Sequence, residues 1–125
     1  MQFIKDIYAT RAAQGRPVIS FEVFPPKTAE GDRNLYEKTI PALMAIKPDY
    51  CSVTYGAGGS TREKTLQIVD EITKRHNLTA LAHLTCVGHT EVQVGELLDR
   101  IQYLGCRNIL ALRGDPPGGG AFQPT

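Results

Sequence analysis

Four apolar runs recur along the chain, and each carries a polar residue close to or just beyond its end, where turn-prone residues follow. The runs cover residues 18–24, 50–55, 80–85 and 108–112. Their polar residues are Glu22, Thr54, His83 and Arg113. Successive members of this set are separated by about 30 residues, the length of a strand, a crossover helix and the next strand. The pattern therefore predicts parallel β-strands joined by helices.

Amphipathic helices are predicted between these strands. Apolar residues recur at helical spacing at Tyr36, Ile40, Leu43 and Met44, at Leu66, Val69 and Ile72, and at Val94, Leu97, Leu98, Ile101 and Leu104. Capping boxes are predicted to begin the last two helices, with Ser60 and Glu63 in one and Thr90 and Gln93 in the other. A short amphipathic helix that begins near Phe3 and is ended by Gly15 and Pro17 is expected to cover the bottom of the fold or to pack outside it.

The strands are apolar with little alternation, which is typical of a parallel sheet covered on both faces. The carboxyl ends of parallel strands share one rim, where binding and catalysis occur in barrel enzymes. We therefore expect the polar strand endings to be neighbours; they are Glu22, Thr54, His83, Arg113 and Asp115. A (β/α)8 barrel takes roughly 250 residues. The 125 residues would therefore supply four βα units, half of a barrel, and the chain is interpreted as cut after the fourth strand.

Composition and charge argue against nucleic-acid binding, membrane association and export. A formal net charge of +1, with acids and bases evenly spread, gives no footprint for nucleic acid or a membrane surface. The chain has no apolar stretch of 18 residues and no uncharged core of the signal-peptide type near its start. Cys51, Cys86 and Cys106 form an odd set, and two of them lie in apolar runs, as expected for small buried side chains. A soluble, cytoplasmic protein is predicted.

Glu22 is the first candidate for a catalytic residue. Because Phe21, Val23 and Phe24 flank it, burial would disfavour its charged form and raise its pKa. Such a carboxyl group can donate a proton near neutral pH. A structural ion pair with Lys27 or Arg113 is the alternative.

Two further segments allow more than one interpretation. The glycine-rich loop at 55–60 lies between a strand and a helix start, where it could bind an anion or be an ordinary tight turn; its spacing does not match the dinucleotide fingerprint. His83, Cys86 and His89 have partial zinc-ligand spacing but no CxxC partner. We favour His83 as a hydrogen-bonding group at a cofactor, Cys86 as packing and His89 as an exposed loop residue.

Arg113 and Asp115 flank Gly114 at the end of the fourth run. The pair could form a surface salt bridge. It could instead place a cation beside an electron-rich cofactor and a carboxylate opposite an amidine-like heterocycle edge, where two parallel hydrogen bonds would fix the orientation of that ring.

Four segments, taken in order, resemble the methylenetetrahydrofolate reductase family. They are SFEVFPPK at 20–27, SVTYGAGGS at 52–60, HLTC at 83–86 and LRGDPP at 112–117. The resemblance runs from residue 18 to residue 117 and spans the N-terminal half of the family's catalytic barrel. It implies a (β/α)8 TIM barrel that binds FAD, takes a hydride from NADH or NADPH and reduces 5,10-methylenetetrahydrofolate to 5-methyltetrahydrofolate in one-carbon and methionine metabolism. A folate partner and a homo-oligomer are also implied.

The resemblance also implies roles for individual residues. Glu22 would be the general acid that protonates the folate as its five-membered ring opens, and Asp115 would orient the pterin and tune the flavin. The implied FAD contacts are Thr54, Tyr55, Ala57, His83, Arg113, Gly114 and Asp115. Later strands of the family's barrel would supply further contacts, and a non-catalytic half-barrel therefore stays open as an alternative. A zinc-dependent barrel methyltransferase or hydrolase, using His83, Cys86 and His89, is the other alternative.

Overall fold

Four strands lie side by side in sequence order and all run in the same direction. The structure is a computed structural model that describes residues 2–56 and 61–121. The strands are β1 (Ser20–Val23), β2 (Tyr50–Val53), β3 (Thr79–Thr85) and β4 (Asn108–Leu112), and β1 and β4 form the edges of the sheet. Every neighbouring pair is parallel. The predicted parallel α/β arrangement is confirmed.

Within the described residues, four helices accompany the sheet. Helix α1 covers Ile4–Ala13, and α4 covers Glu91–Tyr103. Between them, α2 consists of Ala29–Asn34, a π-helical turn at Leu35–Thr39 and Ile40–Ala45, and α3 consists of Arg62–Asp70 and a π-helical turn at Glu71–Arg75. A short 3₁₀ turn follows β4 at Pro117–Gly119. No helix among residues 2–56 and 61–121 is long and apolar enough to cross a membrane.

The core lies between one face of the sheet and helices α2, α3 and α4. Alternate strand residues fill the sheet side of this core, and they are Val23, Cys51, Val53, Ala80, Ala82 and Leu84. The predicted apolar positions Leu66, Val69, Ile72, Leu97 and Ile101 fill the helix side and are buried. Leu98 is an exception, with 39% of its surface exposed.

The opposite face of the sheet is open at several positions. Glu22 and Leu110 point to this face and are exposed. On β4 Leu112 is exposed on the same face, and Ile109 is exposed on the helix-facing side. The expectation of a sheet covered on both faces is therefore met on one face only, because the helices of the described segments lie on one side.

Helix α1 lies at the amino-terminal end of the sheet. The Asn108 side chain, at the start of β4, accepts from Ile4 N at 2.9 Å and donates to the carbonyl of Gln2 at 2.9 Å. The Asp49 carboxylate, just before β2, accepts from Arg11 Nε at 2.6 Å and from Ile19 N at 2.9 Å. Of the two predicted positions, α1 therefore takes the one across the bottom and leaves the carboxyl-terminal rim open.

Of the two predicted capping boxes, that of α4 is confirmed, and that of α3 includes a residue outside the described part of the chain. Thr90 and Gln93 form the predicted capping box, with hydrogen bonds of 2.9 and 3.2 Å between each backbone N–H and the other side chain. For α3, Ser60 lies outside the described residues, and the N-cap position is Thr61. The Glu63 carboxylate instead binds both terminal nitrogens of Arg100 on α4, each at 2.8 Å.

Candidate active site

Glu22 and His83 meet at the carboxyl-terminal part of the sheet although 60 residues lie between them in the sequence. The distance from His83 Nε2 to Glu22 Oε1 is 3.2 Å. Ser52 lies between them on β2, opposite Glu22 in the strand register, and its hydroxyl donates to the same carboxylate oxygen at 3.2 Å. The structure therefore confirms that Glu22 and His83 are neighbours, and it adds Ser52, which the sequence did not single out.

The surroundings of Glu22 differ from the sequence-based expectation. Its side chain is 45% exposed, whereas that of His83 is only 11% exposed. Phe21 and Val23 precede and follow Glu22, but successive strand side chains point to opposite faces, and these two belong to the helix-facing core. The carboxylate consequently has polar partners rather than the apolar pocket that its sequence neighbours suggested.

A second group of candidate residues surrounds a cleft at the same end of the sheet. The cleft has a volume of about 370 Å³ and is lined by Tyr55, Thr85, Val87, Leu112, Arg113, Gly114 and Asp115. Arg113 and Asp115 are exposed, and Arg113 Nε lies 3.4 Å from the Gly114 carbonyl, to which it donates. The strand endings after β2, β3 and β4 thus contribute to one concave surface.

Gly114 lines this cleft at a position that no other residue fits. Its φ of +85° lies in the left-handed region, and a Cβ at this position would lie 2.9 Å from Val87 Cβ and 3.2 Å from Thr85 Cβ. Glycine is therefore required by both the backbone angle and the close approach of the loop after β3.

Tyr55 joins the loops after β2 and β3. Its hydroxyl lies 2.7 Å from His89 Nε2, and the two rings meet edge to face with centroids 5.9 Å apart. Burial raises the pKa of the Tyr55 phenol, so the hydroxyl keeps its proton at neutral pH. His89 lies in a loop as predicted, but the prediction that it is exposed is wrong, because the residue is half-buried.

The described contacts of Thr54 are hydrogen bonds of its backbone N–H and carbonyl. Its N–H donates to the carbonyl of Val23 at 3.0 Å and so extends the pairing of β1 and β2 beyond the strands. Its carbonyl accepts from Thr65 Oγ1 of α3 at 3.0 Å. The peptide after β2 is therefore fixed to both the sheet and a helix. Ala57, another predicted contact, lies outside the described residues.

The structure separates the three residues of the zinc hypothesis. His83 contacts Glu22 and His89 contacts Tyr55, while Cys86 is exposed rather than packed as predicted. Within the part of the chain that the structure describes, no group of three or more His, Cys, Asp or Glu side chains is placed to hold a metal ion. Cys51 and Cys106 are buried as expected, and burial raises the pKa of the Cys51 thiol to about 12.

The cleft has features that fit the ring end of a flavin. Leu112 and Val87 supply apolar walls, and Arg113 supplies a cation. The Thr85 hydroxyl is buried without a hydrogen-bond partner among the described residues, which is unusual for a buried polar group. The volume is at the lower end of that of ligand pockets, so these residues suit one end of a large cofactor.

Comparison with known proteins agrees on one family. The family model for methylenetetrahydrofolate reductase matches residues 7–125. The probable methylenetetrahydrofolate reductase (NADH) of Oryza sativa subsp. japonica is 44% identical over 108 residues, which are 86% of this chain and 18% of that protein. The 5,10-methylenetetrahydrofolate reductase of Escherichia coli K12 is 42% identical over 108 residues, 86% of this chain and 36% of that protein. The chain thus spans well under half the length of either relative.

Proposed function

The chain belongs to the methylenetetrahydrofolate reductase family, and from this premise we propose that it forms part of the active site of an FAD-dependent enzyme that reduces 5,10-methylenetetrahydrofolate to 5-methyltetrahydrofolate. We further propose that the four-stranded sheet is the first half of a (β/α)8 barrel whose carboxyl-terminal rim binds the reactants. The observation that carries this proposal is the meeting of Glu22 with His83 on the same rim as the cleft of Arg113, Gly114 and Asp115.

The proposed FAD site uses the strand endings around the cleft. Its contacts would be Thr54, Tyr55, Ala57, His83, Arg113, Gly114 and Asp115. When bound, FAD would accept a hydride from NADH or NADPH and pass one to the folate. The Arg113 guanidinium would favour the electron-rich part of the cofactor, and Gly114, which has no side chain, would let a flat ring approach the backbone.

Glu22 is the proposed general acid. The folate must gain a proton on nitrogen as its five-membered ring opens, and a positioned carboxylic acid can supply that proton. The exposed position of Glu22 leaves it accessible to a substrate on the open face of the sheet. The nearby His83 and Ser52 provide hydrogen bonds that would stabilise the carboxylate formed after transfer.

Asp115 is the proposed folate-orienting residue. A carboxylate opposite the amidine-like edge of a pterin can accept two parallel hydrogen bonds, which fix the plane and direction of the ring. Asp115 is exposed at the cleft, so its carboxylate is available for this contact.

Glu22→Gln tests the assignment because it retains shape but cannot release a proton. In the active enzyme that contains this chain, we expect reduction of bound FAD by the nicotinamide cofactor to stay within about twofold of wild type, while folate reduction falls by about 10²-fold or more. Rapid mixing of each substrate with the flavoenzyme measures the two half-reactions separately.

Glu96→Gln is the matched control. Glu96 is an exposed glutamate on α4, on the helical side of the sheet, and its substitution should change neither half-reaction. Equal loss of both half-reactions in Glu22→Gln would show that Glu22 supports flavin binding or folding rather than proton transfer.

A further inference from the structure

The Ser52 hydroxyl is a buried polar group that contacts the proposed acid. Ser52 is only 7% exposed, and its position opposite Glu22 in the parallel register of β1 and β2 is fixed by the sheet. Its Oγ donates to Glu22 Oε1 at 3.2 Å, and a second acceptor, the Phe21 carbonyl, lies at 3.4 Å. The hydroxyl has one proton to share between these acceptors. The carboxylate oxygen is the closer of the two, and it is also the stronger acceptor when ionised.

Glu22 Oε1 therefore faces two donors from the neighbouring strands. Ser52 approaches from β2, and His83 Nε2 approaches from β3 at 3.2 Å. When His83 carries its proton on Nε2, both partners donate to Oε1. A protonated carboxyl group has a single O–H and keeps acceptor capacity on its other oxygen. If the carboxyl proton were on Oε1, it would conflict with the hydrogen atoms that Ser52 and His83 donate to that oxygen. A proton on Oε2 has no such conflict, because neither donor contacts Oε2.

We propose that Ser52 is a positioning residue which, together with His83, holds Oε1 as an acceptor and leaves Oε2 as the oxygen that carries the catalytic proton. This inference rests on the proposed function of Glu22. In the step, the O–H bond of Oε2 breaks and an N–H bond forms on the folate, while the ring C–N bond breaks with its electron pair going to that nitrogen. The negative charge left on the carboxylate is stabilised at Oε1 by the two hydrogen bonds, which strengthen as the charge develops.

Ser52→Ala and Ser52→Thr separate this role from simple packing. The alanine variant removes the donor, and the threonine variant keeps a hydroxyl at the same position. In the active enzyme that contains this chain, Ser52→Ala should lower the rate of folate reduction about tenfold, the effect of losing one charge-assisted hydrogen bond. Reduction of bound FAD by the nicotinamide cofactor and the dissociation constant of the folate should stay within about twofold. Ser52→Thr should recover most of the folate rate.

Ser20→Ala is the matched control. Ser20 lies on the same face of the sheet, two residues before Glu22 on β1, and it is exposed. Its loss should leave both half-reactions unchanged.

Two outcomes would overturn the inference. One is a rate of folate reduction in Ser52→Ala within twofold of wild type. The other is a parallel loss of both half-reactions in Ser52→Ala, accompanied by loss of bound FAD, which would indicate a structural role. Failure of the proposed function itself is distinguishable, because wild type would then reduce no folate at all.

Discussion

At the scale of single residues, the sequence predicted one partner of Glu22, His83, but not the other, Ser52. Glu22 and His83 could be predicted as neighbours because each lies near the carboxyl end of a strand and parallel strands share that end. Ser52 could not, because a serine inside an apolar strand has no distinctive signal until the register places it opposite Glu22. The contact between His89 and Tyr55 could not be predicted for a related reason, since the two residues belong to different loops.

Gly114 offers a prediction on stability at this scale. Gly114→Ala should lower the free energy of unfolding by about 2–4 kcal/mol, because alanine is strained at positive φ and its methyl group would collide with Val87 and Thr85. Gly105→Ala is the control, with the same φ of +85° and no heavy atom within 4 Å of the added Cβ. Gly105→Ala should lower the free energy of unfolding by the backbone strain alone, about 1–2 kcal/mol. Denaturant titration measures both, and equal costs would refute the steric contribution.

At the scale of elements, helical periodicity predicted where the helices lie and which sides they bury. The apolar spacing in α3 and α4 predicted Leu66, Val69, Leu97 and Ile101 as core residues, and they are buried. The π-helical turns had no clear sequence signal, although Pro41 follows the one in α2 and lacks the N–H of a regular helical bond. The position of α1 was left open between two sites because its polar contacts depend on Asp49 and Asn108, which lie far along the chain.

The attachment of α1 predicts a pH-dependent contribution to stability. The backbone N–H of Ile19, and after it the Arg11 guanidinium, lower the pKa of the Asp49 carboxyl group below its usual value. A carboxyl group with a lower pKa in the folded state stabilises the fold above its unfolded pKa of about 4, and this contribution is lost as the pH falls through the folded pKa. Asp49→Asn should therefore cost about 1 kcal/mol at neutral pH and progressively less below about pH 4.

Unfolding titrations at several pH values measure this difference. Asp99→Asn serves as the control, because Asp99 is an exposed carboxylate on α4. A cost of Asp49→Asn that is the same at neutral and acidic pH would show that the charge of the Asp49 carboxylate does not contribute to stability.

At the scale of the whole molecule, the regular spacing of the apolar runs predicted both the number of strands and their parallel direction. Units of about 30 residues leave room for one crossover helix each and so predict parallel strands. The order β1-β2-β3-β4 comes from the structure, because other parallel folds built from such units have a different strand order. The closed barrel remains a proposal, since β1 and β4 are the edges of the described sheet. The exposed side chains of Ile109, Leu110 and Leu112 on β4 provide the apolar surface against which a further βα unit of the proposed barrel would pack.

The central claim is that residues distant in sequence form one flavin site on the carboxyl-terminal rim, and the most direct test is an experimental structure of the enzyme containing this chain with FAD bound. We expect the isoalloxazine ring to contact His83 and the backbone of Gly114, with the Glu22 carboxylate facing the same side of the sheet. A flavin bound at the amino-terminal end, beside α1, or a folded enzyme that binds no FAD, would contradict the claim.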